Sequence, residues 1–162
     1  MHAMELAQAM TLLAVANGTP VLAKKAFGAG SAWPLDLGFD LPDGRRLFGA
    51  SKTIRGVVLA VGACWIAAPL IGLQATLGLQ VGALAMAGDL LSSFVKRRLD
   101  RPPSSQALGL DQIPESLLPL LSCIGPLGLT LPDIAAGVVG FFVGELLISR
   151  LLFWMHVRDQ PY

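Results

Sequence analysis

The sequence predicts an all-α, polytopic membrane protein with about five transmembrane helices. Three observations predict it. Hydrophobic residues make up 54% of the 162-residue chain and charged residues only 14%, against about 25% charged in a typical soluble domain; mean hydropathy is +0.64. The apolar residues gather into five stretches, each near the roughly 20 residues that cross a bilayer. All twelve Lys and Arg fall in three places, and five crossings put those three places on one side.

The first span is expected over 5–23. It has an acid, Glu5, and no basic residue at its start, and Lys24-Lys25 follow it. That is the flank pattern of an outside-to-inside anchor rather than of a cleaved leader. Asn17 and Pro20 within it read equally as a break in the helix or as a polar packing contact. The long loop 24–55 then carries Lys24, Lys25, Arg45, Arg46, Lys52 and Arg55. The second span is expected over 56–73 and the third over 77–95, with the short turn Gln74-Ala75-Thr76 between them. The loop 96–112 carries Lys96, Arg97, Arg98 and Arg101. It is too rich in Pro and Ser for a helix, and its length marks it as functional or disordered. The fourth span is expected over 113–131 and the fifth over 134–154, joined at Pro132-Asp133, with Arg150 and Arg158 at the end. The positive-inside rule places the N-terminus outside and both long loops and the C-terminus in the cytoplasm. Residues 1–162 read as one integral domain of the cell (inner) membrane.

Some features are read as packing. Cys64 and Cys123 sit singly inside spans and behave as small apolar side chains, with no metal or disulfide framework. Gly78-x-x-x-Gly82 and Gly140-x-x-x-Gly144 have helix-packing spacing, and eighteen glycines make such pairs common. The net charge of +1 leaves no footprint for nucleic acid.

The end of the third span carries chemistry. An acid at membrane depth costs roughly 2.5–3.5 kcal/mol on insertion scales and is kept for a purpose. In a helix, Asp89, Ser92 or Ser93, and Lys96 fall on one face. A carboxylate, a hydroxyl and an ammonium there suit a metal-bound phosphate. Lys52 and Arg55 open the second span, where helix N-termini and cations favour phosphate. A plain positive-inside anchor explains their charge equally well. The stretch from Asp43 to Gly56 is superficially similar to a nucleotide-binding loop. That pattern needs Gly before Lys and a preceding strand; here Ser51 precedes Lys52 and a membrane helix follows. Asp111 either caps the fourth span or joins Asp89 around a hard cation, since magnesium favours one or two carboxylates plus substrate phosphates. Glu145, mid-way along the fifth span, lines a polar cavity or is hydrogen-bonded between helices.

These residues resemble a known family. Lys52-Thr53-x-Arg55-Gly56, the block from Gly88-Asp89-Leu90 through Ser93-Phe94 to Lys96-Arg97-Arg98-Leu99, and Leu110-Asp111-Gln112 are similar to the motifs of the CDP-archaeol synthases. Asn17-Gly18-Thr19-Pro20 and Asp43-Gly44-Arg45-Arg46 resemble its early motifs. The likeness runs over most of the chain in the same order. Two positions depart from the family pattern. Gly49-Ala50-Ser51-Lys52-Thr53 stands for Gly-Asp-Gly-Lys-Thr, and Pro114, with Glu115 beside it, stands for an acid three residues after Asp111.

The resemblance implies a membrane-bound cytidylyltransferase related to the phosphatidate cytidylyltransferases. It would condense CTP with a lipid phosphate, either phosphatidate or an ether-lipid phosphate, and release pyrophosphate with Mg2+. Asp89 and Asp111 would hold the metal. Asp89, Lys96 and Asp111 would be catalytic. Lys52, Thr53, Arg55, Ser93, Arg97 and Gln112 would bind CTP and the lipid phosphate. The active site would face the cytoplasm, where CTP is found, and the oligomeric state is open between a monomer and a homodimer. Two rivals are a small transporter or channel subunit and a lipid-phosphate hydrolase. Against a transporter, no internal repeat is visible, and the polar residues gather at one membrane face rather than at the midplane.

Overall fold

A computed structural model describes residues 2–28 and 32–156; Arg158 lies outside the described residues. The fold among them is all-α, in the order α1 (Ala3–Phe27), α2 (Ile54–Leu70), α3 (Ala75–Arg98), α4 (Gln112–Ser122), α5 (Ile124–Leu127) and α6 (Leu131–Trp154), with no strand. Three of these, α1, α3 and α6, are long and apolar enough to cross a membrane, and α2 is an apolar helix of 17 residues. The protein is a membrane protein built inside-out. Much of its core is small: Ala9, Ala16, Ala60, Cys64, Ala68 and Ala85 are all but fully buried, beside the larger Leu12, Leu13 and Leu120. Bulkier Val58, Trp65, Ile66, Val139 and Leu147 point outward. Small interior residues let helix backbones approach without a hydrophobic drive between them.

α3 is the central helix, packed against α2, α4 and α1, while α6 closes the bundle against α4 and α1. The close contacts of α3 depend on residues without a side chain. A Cβ on Gly78 would lie 2.3 Å from the Cys64 carbonyl oxygen of α2. A Cβ on Gly88 would lie 2.3 Å from the Pro114 carbonyl oxygen of α4. The second glycine pair behaves differently, because a Cβ on Gly144 would meet nothing within 4 Å.

The structure decides one open reading of the sequence and corrects two others. α1 runs unbroken through Pro20, and the Thr19 hydroxyl donates to the Val15 carbonyl at 2.6 Å. The stretch 113–131 is two helices: Pro119 lies inside α4, the chain turns at Cys123, and Gly128 ends α5 in the left-handed region at φ 66°. Pro132 and Asp133 begin a helix rather than a turn. Thr130 caps α6, with the Asp133 carboxylate accepting from the Thr130 backbone N–H and hydroxyl in a capping box; Pro near the first helical position suits that role. Asp133 also accepts from His2, which ties the start of α1 to the start of α6.

The first long loop is held by one buried side chain. The Asp36 carboxylate accepts from the backbone N–H groups of Gly38, Phe48 and Gly49 at 3.1, 3.1 and 2.9 Å and pairs with Arg46. Burial opposes its charge, but Arg46 and those three N–H groups outweigh burial and hold Asp36 down at about 2. A carboxylate lowered on folding contributes stability above its ordinary range and loses it as pH falls through the lowered value. Acidification from pH 4 to pH 2 is therefore expected to loosen the 34–53 loop. Pepsin works across that range, and its cleavage within the loop should rise as pH falls. Asp36→Asn should already be cleaved rapidly at pH 4, and equal cleavage of the two proteins there would refute the assignment.

Candidate active site

The loop's last residues are placed by backbone pairing. The Leu35 N–H donates to the Lys52 carbonyl at 2.8 Å, and the Ile54 N–H to the Trp33 carbonyl at 3.0 Å. The Lys52 N–H reaches back to the Gly49 carbonyl at 3.3 Å, and Gly49 takes φ 93°, a conformation that favours glycine. Thr53 caps α2, its hydroxyl accepting from the Gly56 N–H at 3.1 Å. Lys52 is thereby set in the lining of a cavity of about 790 Å3.

All nine residues singled out from the sequence line that cavity: Lys52, Thr53 and Arg55 from the first loop and α2, Asp89, Ser93, Lys96 and Arg97 from α3, and Asp111 and Gln112 from the second loop and α4. They meet as acid–base pairs. The Lys52 ammonium lies 2.6 Å from each Asp89 oxygen. The Lys96 ammonium lies 2.6 Å from Asp111 Oδ1 and donates to the Ser105 carbonyl at 3.0 Å. Burial works against the Lys52 ammonium, but the adjacent Asp89 carboxylate outweighs it and raises Lys52 above its ordinary value. Asp111 does not cap α4 through its side chain. Its Oδ2 instead accepts from the Ala107 N–H at 2.7 Å, and Gln112 Oε1 accepts from the Gly109 N–H at 2.9 Å. The second loop thus folds onto α3, assisted by Arg97 donating to the Pro102 carbonyl at 3.0 Å. The buried Arg97 Nε has no partner among the described residues.

Some expected residues do structural work. Of the two serines, Ser92 is spent on the Gly88 and Leu110 carbonyls, while the buried Ser93 lines the cavity. Arg55 lies at the edge, donating to the Gly28 carbonyl at 2.7 Å and stacking over Phe27 at 5.7 Å. Arg98 joins the two loops through Asp43 and the Arg45 and Arg46 carbonyls, away from the cavity.

Other residues come to the site from outside the basic motifs. Glu115 is 6% exposed, lines the cavity, and sits in the electrostatic reach of Asp89, Asp111 and Lys52. The Gly88–Pro114 approach brings it there. Asn17 and Glu145 also line the cavity, from α1 and α6, and Asn17 Nδ2 has no partner among the described residues. Asp36 was missed, although an Asp two residues before Gly in a Pro-rich segment carries an Asx-turn signature.

The donors are chemically suited to magnesium. They are hard carboxylate oxygens beside cationic side chains, and Mg2+ is usually held by one or two carboxylates plus substrate phosphates. Among the described residues no three His, Cys, Asp or Glu side chains converge closely enough to hold a metal. Asp89 and Asp111 are the two carboxylates that could hold such a cation, each paired here with a lysine.

The chain was compared with known proteins. A family model described as CarS-like, CDP-archaeol synthase, matches residues 8–77. A CDP-archaeol synthase from Pyrobaculum calidifontis is 40% identical over 157 residues, covering 91% of each chain. One from Sulfurisphaera tokodaii is 30% identical, covering 91% of this chain and 89% of that one. A solved structure of an intramembrane enzyme for archaeal membrane lipids biosynthesis superposes with a TM-score of 0.76 at 33% identity, covering 88% of this chain and 90% of the other.

Proposed function

Since the chain belongs to the CDP-archaeol synthase family, we propose that it is a CTP-dependent cytidylyltransferase that forms a CDP-lipid from a membrane lipid phosphate. One observation carries the assignment of the site: nine residues from two loops and three helices line one cavity, with ammonium and carboxylate groups 2.6 Å apart.

In the proposed reaction, an oxygen of the lipid phosphate attacks the α phosphorus of CTP. The bond from that phosphorus to the bridging oxygen breaks, and pyrophosphate leaves with the electron pair. Phosphoryl chemistry of this kind asks a protein mainly for positioning and charge neutralisation. Lys52, Lys96 and Arg97 hold the phosphate oxygens, exchanging carboxylate or carbonyl partners for them. Ser93 donates to a phosphate oxygen, and Gln112 shapes the nucleotide end. Thr53 acts through its cap on α2, which fixes Lys52. Arg55 stays at the cavity edge, where it meets the lipid headgroup. Asp89 and Asp111 are the residues that would hold Mg2+, which when bound supplies charge neutralisation on the triphosphate.

The topology that fits this chemistry has five crossings, with α2 and the broken pair α4–α5 completing the three longer helices. A 17-residue helix rises about 26 Å, close to the roughly 30 Å hydrocarbon core. The N-terminus lies outside, and the site faces the cytoplasm of the inner membrane. Ser51 and Ser104 are both exposed, and Cys64 and Cys123 are buried. Cysteines introduced at Ser51 or Ser104 are expected to resist impermeant thiol reagents in intact cells and to label in inverted vesicles. Labelling from outside would overturn the orientation.

The activity is tested with purified protein in detergent, labelled CTP, Mg2+ and a panel of phosphatidates and ether-lipid phosphates. The expected result is a labelled CDP-lipid with one pyrophosphate released per product. Release of free phosphate without a CDP-lipid would overturn the reading in favour of a hydrolase.

A further inference from the structure

The first long loop exposes large apolar side chains that neither the core nor the cavity uses. Trp33 is 70% exposed, Leu37 72% and Phe39 60%, and none of the three lines the cavity. The loop presents them from a hydrogen-bonded frame: Asp36 accepts three backbone N–H groups within it, and the bridges from Pro34 to Thr53 and from Asp40 to Arg46 close it. Large exposed apolar patches mark interaction surfaces.

Two features identify what covers this one. The patch is continuous with the lipid-facing side of the bundle, because the Trp33 carbonyl accepts from the N–H of Ile54, and Ile54 and Val58 are exposed on the outer side of α2. Phe27, at the end of α1, is exposed as well. Basic residues stand beside Phe27: Lys24 and Lys25 are exposed just before it at the end of α1, and the Arg55 guanidinium stacks over its ring. Aromatic residues with adjacent cations are the composition of a membrane–water interface, and basic residues favour its anionic headgroups.

We propose that the 32–49 segment is an interfacial anchor, with Trp33, Leu37 and Phe39 seated in the headgroup region of the leaflet beside the cavity mouth. The occupant is the lipid surface, and the anchor holds the cavity at the level where lipid phosphates lie. The inference goes beyond the cytidylyl reaction and stands whether or not that reaction is confirmed.

Trp33 is its own reporter. With Trp65→Phe and Trp154→Phe, both at exposed positions, it is the one remaining tryptophan of three. The full chain is reconstituted into phosphatidylcholine–phosphatidylglycerol vesicles, with or without acyl chains brominated close to the headgroup. The expected result is Trp33 emission blue-shifted from that of the denatured protein and quenched by the brominated lipid. Emission at the water-exposed wavelength without quenching would overturn the anchor. Blue-shifted emission that brominated lipid leaves unquenched would overturn it too, in favour of a protein partner such as a second copy of the chain.

Discussion

Asp89→Asn is expected to abolish CDP-lipid formation, lowering turnover by about three orders of magnitude or more. The protein should still fold. Asp89 is partly exposed to the cavity, with 26% of its side chain accessible. Its hydrogen-bonding partner is the Lys52 ammonium, at 2.6 Å from both oxygens. Asparagine keeps the size and one acceptor for Lys52 but removes the charge. That loss leaves packing nearly untouched and removes the oxygen that would compete for a cation on the triphosphate. Turnover with Mg2+ and thermal melting in detergent separate the two effects. Near-normal turnover with unchanged Mg2+ dependence would refute the ligand assignment. A collapsed melting transition would instead place Asp89 among the structural residues.

Lys52→Ala is expected to weaken use of CTP by about ten- to a hundredfold, from the roughly 1.5–3 kcal/mol of a lost charge-assisted hydrogen bond. Among the described residues, Lys52 is where the Asp36-held loop reaches Asp89, the one acid of α3. Its loss removes a phosphate ligand and strips Asp89 of its counter-charge, so the measured effect should sit toward the upper end. Lys52→Arg keeps the charge but not the compact ammonium, and should recover part of the loss. Calorimetric CTP affinity and kcat/KM report it. CTP affinity equal to wild type in Lys52→Ala would return Lys52 to a plain topological anchor.

The sequence made some of this legible and hid the rest for physical reasons. Helices were visible as apolar runs, and the Lys96-Arg97-Arg98 cluster marked the end of α3. Charge placement and the motif spacing pointed to residues that the fold brings to one cavity. The break between α4 and α5 was hidden because Gly and Pro are common inside membrane helices. Pro20 sits inside an intact helix, while Gly128 ends one, and composition alone does not separate them. The Thr130–Asp133 capping box was legible in principle, but Pro132 beside it reads equally as a turn. Asp36 was hidden because its partners are backbone N–H groups up to 13 residues away, which no local pattern encodes. Glu115 was visible beside the departure at Pro114, but its place in the cavity was not, because it depends on Gly88, 27 positions earlier in the chain.

The alanine- and glycine-lined seam between α2 and α3 also sets how this protein can vary. In a water-soluble fold the interior accepts exchanges among bulky apolar residues and the surface accepts almost anything polar. Here the Gly78 contact at 2.3 Å leaves no room for even a methyl group, whereas Val58, Ile66 and Leu70 on the outer side of α2 are exposed. A saturation library of α2 and α3 should therefore yield an inverted tolerance profile: interior positions limited by size, and outer positions limited by polarity and nearly indifferent to size. A drifting lineage would lengthen or shorten its lipid-facing side chains freely to suit a new bilayer while the seam stayed fixed. The bundle is thus better adapted to a change of membrane than to a change of interior.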